Sequence, residues 1–572
     1  MWDIDNDSAE PGLYVKEIEF NDGSKVQGIK RDDIIVLVGA NNVGKSQTLK
    51  DIYSGLGDES TSILRGIHTC KTGQVQKIIN LVRQIGTRFE YSSQYNVMGK
   101  YIYLDNMEYL MNDDCTDHRN LRDLFVCNLD TEKRLSACHP APLIARKDPK
   151  THPIHYIAFD SCLRKVFSNY FKRAFNKCIV PNIQQGNSIP LVVTNGKIHI
   201  ADDKFKDETE RVEAYAAELD KYPLAQEEGD GVKGFIGILL YMVLDFYKVY
   251  LIDEPEAFLH PPQARIIGQM IGKLISRNKQ AFISTHSEKL IQGLLETASD
   301  RVKIVRITRK EDINHASVLN AADIAKVWQD PILRYSNILE GLFYPNVVLC
   351  ESDSDCRFYS IINDFLQEKS EKYANTFFTY SGGKHRIPVI MKALSSLGVD
   401  TKVIVDFDVL DNKRTFEKIC KACGINWDMI KMEYQCFYDE INRQIGMNMN
   451  PKEDILAEIG KIAKRNHGDR YYSESEIREI KGLLKGSSYW NILKSTGIDA
   501  IPKGNAFQNF EKINKVTKSH NLFIVPVGEL ECFVKHISTH GPDWVNEVLD
   551  KYSDLNDDVY EKVRDFIKQL EL

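Results

Sequence analysis

A chain of 572 residues exceeds what one hydrophobic core can serve, roughly 250–300 residues, so two or more domains are expected. Its 43% hydrophobic and 27% charged residues mark an ordinary globular protein, and the longest apolar run, Gly234 to Leu244, is too short to span a bilayer. A net charge of −7 excludes a pervasively basic nucleic-acid binder while leaving room for a local basic face.

The acidic start, Met1 to Asp7, has neither the basic nor the apolar region of a signal peptide, so a cytoplasmic protein with no membrane partner is expected. The twelve cysteines are sparse. Cys420-x-x-Cys423 is the single close pair, with no second pair at zinc spacing, so reduced thiols are expected.

Leu13 to Phe20 alternates apolar and polar residues, as an edge-type strand would, and Asn21-Asp22-Gly23 is a turn signal. Ile34 to Val38 is wholly apolar and reads as a buried strand. Gly39-Ala40-Asn41-Asn42-Val43-Gly44-Lys45-Ser46 then fits G-x-x-x-x-G-K-[ST], with a helix after it to about Tyr53. Glycines at these positions let successive N–H groups turn toward a phosphate chain. Lys45 would reach the outer phosphates, the Ser46 hydroxyl would ligate Mg2+, and the helix adds the positive end of its dipole. Gly39, Asn41, Asn42, Gly44, Lys45, Ser46 and Gln47 are therefore candidate ATP-binding residues.

Residues 60–225 carry weaker signals and read as an inserted helical subdomain for dimerisation. They include helical patches such as Val75–Ile85 and a predicted hairpin, Leu191–Ile200, turning at Asn195-Gly196. Gly229-Asp230-Gly231-Val232-Lys233-Gly234 precedes an apolar helix from Phe235 to Phe246. Val249 to Ile252 then leads into Asp253-Glu254-Pro255-Glu256, which reads as a Walker B strand. Asp253 would hold Mg2+ through water, and Glu254 would orient the attacking water. Gln280 to Ser287 is another buried strand ending in a polar triplet, whose His286 could contact the γ-phosphate.

In this order, GANNVGKS, GDGVKG, LIDEPEAFLHP and FISTHS resemble ATP-binding-cassette ATPases of the SMC and DNA-repair type. The resemblance implies paired heads that sandwich ATP, with Gly231 and Lys233 of one head facing the nucleotide of the other. GDGVKG departs from the LSGGQ-like signature of that family. The chain has no long heptad arms.

A second α/β domain is expected over 336–572, after an ATPase domain over 1–335. Pro345 to Glu351, Thr376 to Tyr380, Lys402 to Asp408 and Asn521 to Glu531 read as strands alternating with helices, hence a parallel sheet. Helices are predicted over Pro388–Leu397, Asp454–Lys464 and Glu474–Leu484, the last two within a charged insertion over about 412–515. The strand ends deliver acids: Glu351 with Asp355, Asp406 with Asp408, and Glu529 with Glu531. On an extended strand Asp406 and Asp408 would share a side. Clustered carboxylates repel, and hard divalent ions are the usual remedy, so Mg2+ or Mn2+ is the expected cofactor. Ions held this way can stabilise the attacking and leaving oxygens of a phosphodiester displacement.

A glutamate after the first strand and D-x-D after the third resemble a Toprim domain, with Ser352 where that family usually has glycine. The resemblance implies that Glu351 is the catalytic glutamate, Asp355 its helical partner, Asp406 and Asp408 the metal pair, and Glu529 and Glu531 the late acids of the nuclease branch. That branch also uses a lysine near its end, and Lys535, Lys551 and Lys562 all qualify. An ABC-type ATPase followed by Toprim resembles the OLD (overcoming lysogenization defect) nucleases and, within them, the retron-associated anti-phage subgroup. What this implies is an ATP-regulated, metal-dependent DNA endonuclease, dimeric or larger through its heads. A reverse transcriptase with its RNA–DNA product is an implied partner, for which Asn412-Lys413-Arg414 and Lys464-Arg465-Asn466-His467 supply basic strips. A non-nucleolytic ATPase clamp and an RNA-cutting effector are the alternatives.

Overall fold

The structure is a computed structural model that describes residues 2–5, 10–89, 92–112, 115, 117–198, 207–276, 278–319, 337–370, 376–396, 398–448, 452–464, 471–485 and 489–572. They form two compact units, 1–343 and 344–572. Of the linker expected at 330–345, residues 330–336 lie outside the described residues.

The first unit is organised by a six-stranded sheet. Its strands in chain order are β1 (Ile34–Val38), β2 (Val126–Leu129), β3 (Val249–Asp253), β4 (Gln280–Ser284), β5 (Val302–Lys310) and β6 (Ile313–Leu319). In space they run β6-β5-β1-β4-β3-β2, all neighbours parallel except the antiparallel pair β5 and β6. Every residue of β1 and β4 is buried, as expected of a parallel sheet covered on both faces. The helices that matter here are α1 (Lys45–Gly55), α2 (Thr131–Ser136), α3 (Asp230–Met242), α4 (Pro261–Leu274) and α5 (Glu288–Ala298).

A second, four-stranded sheet holds Trp2–Asp5, Leu64–Thr72, Gly12–Phe20 and Lys25–Val26 in that spatial order. Gly12–Phe20 is thus an interior strand, not the edge its alternation suggested. It pairs antiparallel with Leu64–Thr72 on one side and with Lys25–Val26 on the other. The Gln280 side chain ties the two sheets, accepting from the Val15 amide at 2.9 Å and donating to its carbonyl at 2.8 Å.

Residues 60–225 do not stand apart as one insertion. Leu64–Thr72 is a central strand of the second sheet and β2 extends the main one. The Asn195-Gly196 hairpin also fails. Leu191–Thr194 pairs antiparallel with Cys178–Pro181, an earlier segment, while Lys197 and Ile198 are not strand and 199–200 lie outside the described residues. A local turn signal has lost to a non-local partner.

The second unit has a four-stranded, all-parallel sheet: β7 (Asn346–Cys350), β8 (Thr376–Tyr380), β9 (Thr401–Val405) and β10 (Leu522–Ile524), ordered β8-β7-β9-β10. Helices α6 (Asp353–Ser370) and α7 (Ile387–Ser396) follow β7 and β8. The core gathers Phe358, Tyr359, Trp544, Tyr560 and Phe566. Between β9 and β10 lie helices including Lys413–Ala422, Lys431–Asn448, Lys452–Ala463, Glu474–Lys485, α8 (Tyr489–Thr496) and Asn505–Lys518. Among the described residues no helix is long and apolar enough to cross a membrane, and all twelve cysteines are free.

Candidate functional site

Parallel strands aim their carboxyl ends at one edge, and in the first unit that edge carries the phosphate loop. Gly39 and Gly44 have φ of +143° and +93°, where a side chain would be strained. Lys45 Nζ donates to the carbonyls of Gly39 at 3.1 Å and Ala40 at 2.7 Å, so the amine is folded back under the loop. Burial pushes it down to about 8, against the opposing pull of Glu254, Asp253 and Glu256. Asn41 and Asn42 are exposed at the crest. Gln47 donates to Asp51 at 2.8 Å, and Asp51 also receives the amides of Ser62, Ile63 and Leu64, fixing the start of Leu64–Thr72.

The register brings Asp253 beside Ser284, and Ser46 Oγ donates to Asp253 Oδ1 at 2.8 Å. The donor chemistry fits Mg2+: a hydroxyl and a carboxylate, both hard oxygens, are already together where a nucleotide-bound ion would sit. Glu254 adopts φ +46°, an uncommon conformation held by its amide donating to the carbonyl and hydroxyl of Ser284, each at 3.1 Å. His286 Nε2 lies 3.4 Å from Glu254 Oε1, and burial, then Lys45, hold the imidazole down at about 4, so it is neutral at pH 7. Glu256 accepts from Thr285 Oγ1 at 2.6 Å and the His286 amide at 2.9 Å.

Gly231 and Lys233 sit in the first turn of α3. A Cβ at Gly231 would collide with the Phe258 carbonyl, and Lys233 pairs with Asp230 at 2.7 Å. Sequence reasoning missed Asn314, whose buried amide donates to the Val43 carbonyl at 2.7 Å and braces the loop from β6.

In the second unit the acids gather at the carboxyl edge, by turns more than by strands. β9 stops at Val405, Asp406 precedes a 3-10 turn over Phe407–Asp411, and the two aspartates do not lie on one extended strand. β10 likewise stops at Ile524. Pro526 has no N–H to continue a ladder; Glu529 immediately precedes a 3-10 turn over Leu530–Phe533, and Glu531 lies within it. Glu351 Oε1 accepts the Asp406 amide at 3.2 Å. Asp355 accepts the Ser352 amide at 2.9 Å, and Ser352 Oγ caps α6 in return, which gives a serine a reason to stand there. Glu531 accepts the Gly541 amide at 2.9 Å.

Burial and then Asp408 hold Glu351 up at about 7; burial, with Glu531 and Glu529 adding to it, holds Asp355 up at about 6. Asp406 is pushed well above the usual carboxylate range by burial and by Glu351, Asp355 and Asp408. Two lysines answer this charge. Lys384, delivered by the Gly382-Gly383 turn after β8, meets Asp408 at 2.9 Å; Lys494 on α8 lies 3.3 Å from Glu529 and 3.6 Å from Asp408. Among the described ion pairs and hydrogen bonds, Lys535, Lys551 and Lys562 make no contact with these acids. Asn412 instead caps a helix and Lys413 meets Gln435 at 2.7 Å; of the second basic strip, 465–467 lie outside the described residues. Among the described residues no group of three or more His, Cys, Asp and Glu side chains is already gathered as a ligand set. The oxygen donors and their raised proton affinity nonetheless suit a hard divalent ion that would relieve the repulsion.

The sign of the pH effect follows. Unfolded carboxyls titrate near pH 4, so between about pH 4 and pH 7 the folded unit binds more protons than the unfolded chain, and stability falls as pH rises. Hydrogen exchange of the β9 amides, corrected for intrinsic rates, is expected to show less protection at pH 7 than at pH 5, with Mg2+ or Mn2+ closing the gap. Equal protection at both would mean the acids titrate normally.

Residues 162–291 match the family described as an AAA ATPase domain, a span that takes in α3, β3, β4 and His286. A curated relative, the uncharacterized protein MJECL11 of Methanocaldococcus jannaschii, is 42% identical over 72 residues, 12% of this chain and 63% of that protein. The chain thus spans less than two thirds of that relative. Among solved structures, an SMC head domain bound to the C-terminal winged-helix domain of ScpA is similar at 13% identity and a TM-score of 0.33, over 54% of this chain and 98% of that one. The SMC head domain from Thermotoga maritima is similar at 11% and 0.28 over 54% and 98%. CbiO1 from Clostridium perfringens, part of an ABC transporter complex, is similar at 15% and 0.28 over 57% and 95%. These are faint likenesses. The phosphate-loop geometry and the family match together make the first unit one that carries an ATPase domain of α/β fold.

Proposed function

We propose that this chain is an ATP-regulated, divalent-metal-dependent DNA endonuclease of the OLD type, acting in the cytoplasm as an effector of anti-phage defence. The observation that supports cleavage best is the set Glu351, Asp355 and Asp406, enclosed at one sheet edge with raised proton affinities. With Asp408, Glu529 and Glu531 they would hold Mg2+ or Mn2+, which supplies charge stabilisation for phosphodiester displacement. The ATPase unit would associate through its heads with a second copy, Gly231 and Lys233 facing the partner's nucleotide. A reverse transcriptase with its RNA–DNA product belongs to the same proposal as the restraining partner. The decisive experiment incubates purified protein with supercoiled plasmid and Mg2+ or Mn2+, with and without ATP. Nicking supports the reading; intact plasmid under all conditions overturns it.

One observation favours a second reading, a non-nucleolytic ATPase clamp: lysines already occupy Asp408 and Glu529. The same plasmid assay separates the two, and a parallel tRNA arm tests for RNA cutting.

Within the ATPase unit, Glu254→Gln keeps the shape of the strained turn but loses the carboxylate that would orient water. ATP should still bind, with hydrolysis slowed by ~10²-fold, the scale of a lost general base. Unimpaired turnover in this variant would remove Glu254 from the mechanism.

A further inference from the structure

Helix α2 follows β2, the strand that runs beside acid-bearing β3. The Arg134 side chain on it is 3% exposed. Its Nη2 donates to Thr131 Oγ1 at 3.0 Å, whereas Nε and Nη1 are buried without a hydrogen-bond partner. A guanidinium stays charged in a protein, so buried donors without a protein partner are costly and call for an anion in some other state of the molecule. The charges that act on it most strongly are those of Asp253 and Glu256, then Asp130 and Glu254.

Glu256 has the complementary defect. Its Oε1 holds Thr285 and the His286 amide, while Oε2 is buried and takes no hydrogen bond. On the other side, the Arg134 carbonyl oxygen packs so closely on Gly237 that a Cβ there would collide, so α2 and the glycine-rich helix α3 are locked together. Arg134 thus carries two unused donors on the helix packed against α3, and Glu256 carries one unused acceptor beside the histidine segment.

We propose that Arg134 is a positioning residue that pairs with Glu256 during the ATP cycle and so couples the nucleotide site to α3. Nε and Nη1 donate to Oε2, while Oε1 keeps the Thr285–His286 segment. Nucleotide contact at His286 then reaches α3 through one carboxylate and one guanidinium. For this to shift α3, the pair must be worth more in one nucleotide state than in the other. The inference rests on the ATP-site reading and is independent of the nuclease reading.

The test compares full-length wild type with Arg134→Gln, Arg134→Lys, Glu256→Gln and the Arg134→Gln/Glu256→Gln double variant. Affinity for a fluorescent ATP analogue is expected to stay within ~3-fold in all of them. In both glutamine variants kcat should fall ~10-fold or more, and the double variant should be no slower than the worse single, the signature of one shared interaction. Arg134→Lys keeps the charge but not the fork, and should fall between wild type and Arg134→Gln. Multiplying losses in the double variant, or wild-type kcat in either single, overturn the pairing. Should Arg134→Gln not fold, Arg134→Lys with and without Glu256→Gln gives the same comparison. Wild-type protein that binds no ATP overturns the ATP-site reading too, an outcome distinct from a failed cycle.

Discussion

Replacing Lys45 with alanine is expected to lower ATP affinity by at least ~10²-fold, since a charged hydrogen bond to phosphate is worth about 1.5–3 kcal/mol and the amine would serve more than one oxygen. The amine now donates to the Gly39 and Ala40 carbonyls, so nucleotide must draw it out of the loop. With burial holding it down to about 8, most of it is protonated at pH 7, and a phosphate would raise that fraction. Lys45→Met, which keeps the stem and loses the charge, separates phosphate binding from loop collapse. Both variants should bind poorly in a fluorescent-analogue titration while thermal unfolding stays near wild type. Affinity equal to wild type in either would sink the phosphate-loop assignment.

The phosphate loop was legible because its signals are local: a five-residue apolar strand, fixed glycine spacing and a helix that starts on Lys45. The order of acid-bearing strand ends in the second unit was equally legible, but the geometry behind it was not. Asp406 and Asp408 are displayed by a 3-10 turn, and nothing in a five-residue apolar run announces where the strand lets go. Lys384 and Lys494 lie 24 and 86 residues from Asp408 in sequence, and they meet it only because a glycine turn and an inserted helix fold over the same edge. Arg134 was hidden for a related reason. An arginine in a short charged helix reads as solvated, and only the tertiary fold leaves it 3% exposed.

Asp406→Ala should cut plasmid nicking by ~10²-fold or more, the scale of losing preorganised charge stabilisation at a reacting phosphate. ATP turnover should survive, because the altered side chain belongs to the other compact unit. Asp408→Ala should act in the same direction while also freeing Lys384 and leaving Lys494 to Glu529 alone, so its effect on substrate binding should be more complex. The Asp406 variant carries a second, opposite expectation. In metal-free protein its carboxyl is crowded by Glu351, Asp355 and Asp408, and deleting one of four repelling groups should relieve the others. Metal-free Asp406→Asn, nearly isosteric, should therefore unfold at a higher temperature than wild type at pH 7, and the difference should shrink as Mg2+ or Mn2+ is added to wild type. Lost cleavage with gained metal-free stability is what a site strained for metal chemistry predicts, and a solvated loop predicts neither. Nicking that persists undiminished in Asp406→Ala would leave these carboxylates as structural acids and take the nuclease reading with them.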